Sequence, residues 1–235
     1  MEVTRHIGPR YQVSIPDTID GREVTGVGAE ILGCDETYLY IPDTVRYIDT
    51  SRFQDYKELS SVGVSENSEY YSSKSGMLTD KAITKIIRAA VKRTKAEIPN
   101  TVTEISANAF LGCNIMTYVY IPESVETIGS YAFFDCTSLK RVIVPGSVTD
   151  IGEYAFGYKN GTEGIVTDDE LEIMCYKNSA AEEYAQKNGI SYTLIDDHTG
   201  KTSVENAELE YSNRSIYESS DYIAPPTKPC QKYLT

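Results

Sequence analysis

The sequence predicts an α/β repeat solenoid: a curved, right-handed array with a parallel concave sheet and short helical turns on its convex side. Two observations carry that expectation. A unit of 23 residues recurs along the chain, and its apolar positions keep the same spacing from copy to copy. A shorter echo supports them, since "TYVYIP" (Thr117 to Pro122) nearly repeats "TYLYIP" (Thr37 to Pro42).

Three copies align without gaps. They start at Ile98 ("IPNTVTEISANAFLGCNIMTYVY"), Ile121 ("IPESVETIGSYAFFDCTSLKRVI") and Val144 ("VPGSVTDIGEYAFGYKN"). A fourth begins at Ile41 and keeps Val45, Ile48, Phe53 and Leu59. A fifth, from Ile15, carries a three-residue insertion and a degraded Ala-Phe step, with Leu32 in place of Phe. The gap from Ile41 to Ile98 is 57 residues, which is one unit of 23 plus 34. No such unit can bury its own apolar residues, so each must stack on its neighbours around a continuous core. Phe110, Phe133 and Phe156 are accordingly expected to stand in one column.

Within a unit, Leu139, Val142 and Val144 carry the spacing of a short strand. Strand alternation sends Val142 and Val144 inward and Arg141 and Ile143 outward. The spacing of Ile128, Ala132, Phe133 and Cys136 suits one face of a short helical turn. Each coil thus reads as a strand, a corner at "IP" or "VP", and a return through the Ala-Phe segment.

The pattern IP-x-x-V-x-x-I-G-x-x-A-F-x-x-C-x-x-L closely resembles the bacterial surface-antigen (BspA-like) leucine-rich repeats, over roughly Val13 to Ile195. "IDGREVTGVG" (Ile19 to Gly28) resembles the opening repeat of such arrays. "LEIMCYKNSAAEEYAQKNGISYTLID" resembles their closing segment, although Cys175 replaces an expected glycine. Two other departures are Tyr56 for Cys in the copy from Ile41, and Tyr158, which ends the last copy early.

The stretch from Tyr70 to Ala89 resembles the β-hairpin insertion common in the family. Periodicity alone leaves residues 81–95 open between strand and amphipathic helix. Ile83, Ile86, Ile87, Ala90 and Val91 suit a helix, whereas Gly76 and "TDKA" suit paired strands. "SAAEEYAQKNG" is a helix with a Ser179/Glu182 capping box and a Gly189 stop. It is expected to lay Ala181, Tyr184 and Ala185 over the open end of the array. The expected organisation is a leucine-rich-repeat solenoid over residues 1–195, with an insertion at about 65–97 and a cap at about 171–195. A polar, acidic tail or linker follows over 196–235.

Composition narrows the function. The chain has 235 residues and a formal net charge of −13, which argues against nucleic-acid binding and against docking on anionic membrane. No run of eighteen apolar residues offers a membrane span, and "MEVTRHIGPRYQ" lacks the apolar core of a secretory signal. Nineteen tyrosines without a tryptophan stand out, because tyrosine joins contact area to a polar tip. Five cysteines, an odd number, do not suggest a disulfide framework.

Chemistry-bearing clusters read mostly as structure. Cys34, Cys113 and Cys136 share one repeat position and are expected as small buried hydrophobes. The two histidines, His6 and His198, lie outside the array, so neither a zinc site nor a His-assisted nucleophile is expected. "HTGKT" (His198 to Thr202) lacks the first glycine of a phosphate loop, Ile195 standing in its place. Asp168, Asp169 and Glu170 lack calcium-loop spacing and read as a solvated turn. Lys81, Lys85, Arg88, Lys92, Arg93 and Lys95 form a basic stripe, either a solvated face or a seat for an acidic partner. No catalytic residue, cofactor or metal is expected; a glycan hydrolase with paired carboxylates finds no such pair on the expected concave strands.

Around inward Val119 and Ile121, Tyr118 and Tyr120 must face outward, and Tyr38 and Tyr40 do the same around Leu39 and Ile41. Aromatic residues beside an arginine are common material of interaction hot spots, although tyrosine also simply suits a half-exposed strand. The candidate ligand-binding set on the concave face is Tyr38, Tyr40, Tyr118, Tyr120, Arg141 and Ile143. The resemblance implies a non-enzymatic module at the bacterial cell surface or outside the cell, a monomer that recognises protein or glycan in adhesion. The alternative is a structural spacer within a larger surface protein, suggested by the linker-like segment after Asp196.

Overall fold

The computed structural model describes residues 2–3, 12–28, 37–50 and 59–195. The chain winds as a parallel β-solenoid whose coils each contribute a long and a short strand. The long strands are β2 (Gln12–Ser14), β6 (Tyr38–Ile41), β8 (Ser61–Val64), β13 (Tyr118–Tyr120), β15 (Arg141–Ile143), β19 (Glu172–Tyr176) and β20 (Ser191–Ile195). They pair in parallel in the orders β2-β6-β8 and β13-β15-β19-β20. Residues 91–95 bridge the two groups: Val91 N–H donates to the Leu59 carbonyl at 2.8 Å, and Lys95 forms a parallel bridge with Tyr118.

The short strands are β1 (Glu2–Val3), β5 (Gly26–Val27), β7 (Tyr47–Ile48), β11 (Lys85–Ala89), β12 (Glu104–Ile105), β14 (Thr127–Ile128) and β16 (Asp150–Ile151). They stack as β1-β5-β7 and as β11-β12-β14-β16. Between regular copies the register follows the 23-residue unit, with Tyr38 opposite Ser61, Glu104 opposite Thr127 and Tyr118 opposite Arg141, whereas Lys85 faces Glu104 and Arg141 faces Glu172 at other separations.

The corner between the two strands explains the "IP-x-x-V" signature. Proline has no N–H to give the ladder, so it ends the long strand. Its carbonyl then closes a turn: Pro99, Pro122 and Pro145 accept from the amides of Val102, Val125 and Val148 at 3.0, 3.0 and 3.3 Å. The glycine after Ile128 answers a different need. A Cβ on Gly129 would overlap the backbone of Ser106 and Ala107 in the preceding coil, and one on Gly152 would overlap Ser130.

The return segments are tight turns, not the helical turns expected. Alternate amides bond within the coil and across to the next coil. Ala132 donates to Gly129 at 3.2 Å, Phe133 to Ala155 at 2.8 Å, and Phe134 to Tyr131 at 3.2 Å. Asn108, Tyr131 and Tyr154 take left-handed φ values of 61°, 59° and 55°, which a helix would not allow. Ile128, Ala132, Phe133 and Cys136 nevertheless all point inward and are buried, as the spacing requires.

Phe110 and Phe133 stack with ring centroids 4.7 Å apart, and Phe133 and Phe156 at 4.8 Å, so the three share one column. Beside it lie the free, buried Cys113 and Cys136. The Cys136 thiol donates to the Phe110 carbonyl at 3.2 Å, and burial pushes it well above the ordinary thiol range. Helix α1 (Ala180–Asn188) buries Ala181, Tyr184 and Ala185, and Tyr184 meets Phe156 edge-on at 6.1 Å. Ser179 caps the helix by accepting from the Glu182 amide, the Glu182 carboxylate reaches back to the amide of Asn178, and Gly189 closes the helix at φ 66°.

Among the described residues four antiparallel strand pairs accompany the parallel ladders, where one hairpin insertion is expected from the sequence. β3 (Thr18–Ile19) pairs β4 (Arg22–Glu23), and β17 (Tyr158–Gly161) pairs β18 (Gly164–Thr167). β9 (Tyr71–Lys74) and β10 (Met77–Asp80) form the third, and β10 also pairs β11. Residues 85–89 are thus strand, and the helical alternative for that stretch is wrong.

Arg88 is also misplaced in a solvated stripe, because its side chain is fully buried and donates to the carbonyls of Asn108 and Leu111. It lies where the apolar core divides into two clusters, one holding Met77, Ile86 and Phe110, the other Leu78, Ala90 and Val91. Asp168 is not solvated either: it is buried and accepts from Lys159 Nζ at 3.1 Å. Among the described residues no helix is long and apolar enough to cross a membrane, and no group of metal-ligating side chains could hold an ion. The expectations for His6, Leu32, Cys34, Phe53, Tyr56, His198 and residues 196–235 lie outside the described residues.

Candidate functional site: the outward face of the long strands

Alternation along the long strands sets this face. In β6, Leu39 and Ile41 are buried while Tyr38 and Tyr40 are half-buried; in β13, Val119 is buried between half-buried Tyr118 and Tyr120. The four tyrosines therefore share one face. From β6 through β8 and the bridging segment to β13 is three strand steps, or about 14 Å.

Gly63 completes the first pair. It lies opposite Tyr40 in β8, and a Cβ there would collide with the Tyr38 hydroxyl and sit 3.4 Å from the Tyr40 ring. The glycine lets both rings lean across the neighbouring strand. Its signal in the sequence is a lone glycine inside a strand, which often marks close approach by another group.

Arg141 and Ile143 do not extend the tyrosine surface as expected. Ile143 is only 1% exposed. Its ladder neighbours on the same face are Tyr120 and Met174, and side chains of that size on both sides cover a β-branched residue between them. Arg141 is exposed, but its Nε donates to Glu172 Oε2 at 3.0 Å. Glu172 also accepts from Thr193 Oγ1 at 2.6 Å. The Thr193 hydrogen bond, followed by the Arg141 charge, holds this carboxyl below its ordinary range. Arg141 is therefore part of a cross-strand polar row through β15, β19 and β20. Sequence reasoning missed Glu172 and Thr193, because neither falls within the aligned copies.

The face also has a wall. Ser75, in the turn between β9 and β10, donates to Glu97 Oε2 at 3.4 Å. Lys74 and Ser75 thereby stand beside Ala96–Asn100 and Tyr120 around an open cleft of about 330 Å³.

The repeat units match the BspA type leucine rich repeat region in six copies, over residues 32–88 and 83–184. The chain belongs to the BspA-type leucine-rich repeat family. Two solved structures have the same fold as this BspA-type array. A leucine-rich repeat protein from Eubacterium ventriosum is 20% identical with a TM-score of 0.60, over 72% of this chain and 42% of that one. A leucine rich cell surface protein from Faecalibacterium prausnitzii is 20% identical with a TM-score of 0.50, over 81% of this chain and 61% of that one. The BspA-type chain thus spans under half the length of the first relative and about three fifths of the second. Comparison with curated proteins finds no match.

Proposed function

We propose that this BspA-type array is a non-enzymatic recognition module, displayed outside the cell or on the bacterial surface. It attaches to protein or glycan through the outward face of its long strands. That face is taken as the concave wall of a right-handed coil, with the β9–β10 hairpin as a true insertion and α1–β20 as the cap. The observation that carries the reading is the placement of Tyr38, Tyr40, Tyr118 and Tyr120 on one face, half-buried and clear of the core. Rings held this way lose little conformational freedom on binding, which suits contact anchors. Family membership and the cell-surface description of the Faecalibacterium structure support the location.

The test is an array of extracellular-matrix proteins and glycans probed with the purified domain and with a Tyr118→Ala/Tyr120→Ala variant. Capture by the wild type and a clear loss in a still-folded variant is expected. Capture that the double substitution leaves unchanged removes this face from the function.

A second reading, a spacer or presenting scaffold, is favoured by β20. Tyr192 and Leu194 stand in register with buried Ile173 and Cys175, yet are 36% and 41% exposed. A core-register strand with an uncovered face suits a further packed module. If an unrelated rigid solenoid of equal length restores attachment when exchanged for this one, the spacer reading replaces the first.

A further inference from the structure

The cleft beside Tyr120 lies where the repeat departs most from its own length. The coil from Val64 to Ile98 takes 34 residues instead of 23, and the surplus forms β9 and β10, which prolong the short-strand sheet beyond β11 and bury Met77, Leu78 and Thr79. The added strands do not interrupt the stack, because Ile86 still pairs Ile105 in the short-strand column. What they add is a turn that leans back over the long strands. Ser75 and Gly76 hold left-handed φ values of 48° and 67°, and a Cβ on Gly76 would lie 2.5 Å from Arg93 Nη1 and 3.6 Å from Ser61 Oγ.

Lys74 and Ser75 form one side of the resulting cleft, Glu97, Pro99 and Asn100 another, and the ring of Tyr120 a third. Its 330 Å³ falls at the lower end of small-ligand sites, about 300–1,000 Å³. The lining combines an aromatic side chain and the apolar Ala96, Ile98 and Pro99 with an ammonium, a hydroxyl, a carboxylate and a carboxamide. A sugar ring has the matching form: an apolar C–H face for the tyrosine, bordered by hydroxyls that both donate and accept.

Two competing ligand classes fit less well. An acidic sugar or phosphate would face Glu97 within a chain of net charge −13, with Lys74 as the one basic residue in the lining. A peptide anchor would want a deeper apolar pocket than an open cleft lined by Ala96, Ile98, Pro99 and Tyr120 provides. We propose that this cleft binds a neutral saccharide unit, stacked on Tyr120 and oriented by Glu97, Asn100 and Lys74. The proposal rests on the recognition reading above and assigns it a ligand class.

The experiment is saturation-transfer NMR on the full chain with free glucose, galactose, mannose, N-acetylglucosamine, N-acetylgalactosamine and their β-linked disaccharides. Sialic acid and a sulfated disaccharide serve as acidic probes. Transfer to at least one neutral sugar is expected, with affinity reduced about tenfold or more by Tyr120→Ala, a loss of one hot-spot contact. Glu97→Gln should weaken it several-fold while circular dichroism stays unchanged, and the remote Tyr192→Ala should leave it intact. Transfer to acidic sugars alone, to none, or equally to the Tyr120→Ala variant overturns the proposal. If no sugar binds but the array still yields a protein ligand lost in the Tyr118→Ala/Tyr120→Ala variant, recognition stands and the saccharide falls. If neither probe set binds, both fall.

Discussion

The phenol of Tyr184 holds both backbone groups of Phe156: its hydroxyl donates to the Phe156 carbonyl and accepts from the Phe156 amide, each at 3.0 Å. One side chain of α1 thus fastens the helix to the last ring of the phenylalanine column. Tyr184→Phe keeps the edge-on ring contact but leaves a buried N–H and C=O without that partner. A loss of about 1–3 kcal/mol is expected, read from urea denaturation with an unchanged m-value. A change within a few tenths would mean that these backbone groups do not depend on the phenol.

Phe133 is the middle ring of the column, stacked on both sides at 4.7 and 4.8 Å. Phe133→Ala should cost about 3–5 kcal/mol, the range for opening a large cavity in a packed core. Phe133→Leu should cost less, because it refills part of the space. Equal losses for the two would argue that stacking, not volume, sets the stability.

Gly129→Ala tests the close approach of adjacent coils. Its φ is not in the left-handed region, so the strain would come from overlap with the Ser106 and Ala107 backbone alone. Backbone cannot rotate away as a side-chain tip can, and a loss of about 1–3 kcal/mol is expected. Gly112→Ala provides a contrast, having open space around it but φ of 76°. A melting temperature for Gly129→Ala matching wild type would show that the coils can spread.

Glu172 gives a pH signature. Its folded pKa is lowered, first by the Thr193 hydrogen bond and then by Arg141. Stability from a depressed carboxyl is present above its unfolded pKa and fades as pH falls through the lower folded value. Glu172→Gln should therefore narrow the stability difference between neutral pH and the acid side of the ordinary carboxylate range. Parallel urea-midpoint curves for the two proteins from neutral to acid pH would exclude the linkage.

The buried thiols should be silent. Burial raises Cys175 to about 11 and Cys136 well above its ordinary value; the contact with Cys136 lowers Cys113, but full burial keeps that thiol from a reagent. In a Cys34→Ser/Cys230→Ser background, a thiol reagent should find no reactive cysteine in the native protein and three after denaturation. Rapid native labelling would contradict their burial in the core.

The periodic parts of this molecule could be read from its residues, and the parts that depend on neighbouring coils could not. Column and corner follow from what 23-residue spacing imposes on Phe110, Phe133, Phe156 and the "IP-x-x-V" turn, and the bounds of α1 follow from Ser179, Glu182 and Gly189. Over four residues, however, a helical turn and a chain of left-handed tight turns place the same side chains inward. The Ala-Phe segment was therefore open to the wrong backbone. Ile143 alternates outward as expected, but its cover comes from Tyr120 and Met174 on other coils. Arg88 looks like one charge in a stripe until its reach to the carbonyls of Asn108 and Leu111 is seen. The cleft depends on a hairpin turn folding back onto Glu97, a contact 22 residues distant that no spacing encodes.

Because β9 and β10 prolong the short-strand sheet on one side of β11 while Ile86 keeps its place opposite Ile105 on the other, gene duplication could lengthen the rod at its far end without touching the cleft. Whole units added beyond Val144 would change how far the cleft stands from α1. Reach and selectivity would then evolve as separate traits.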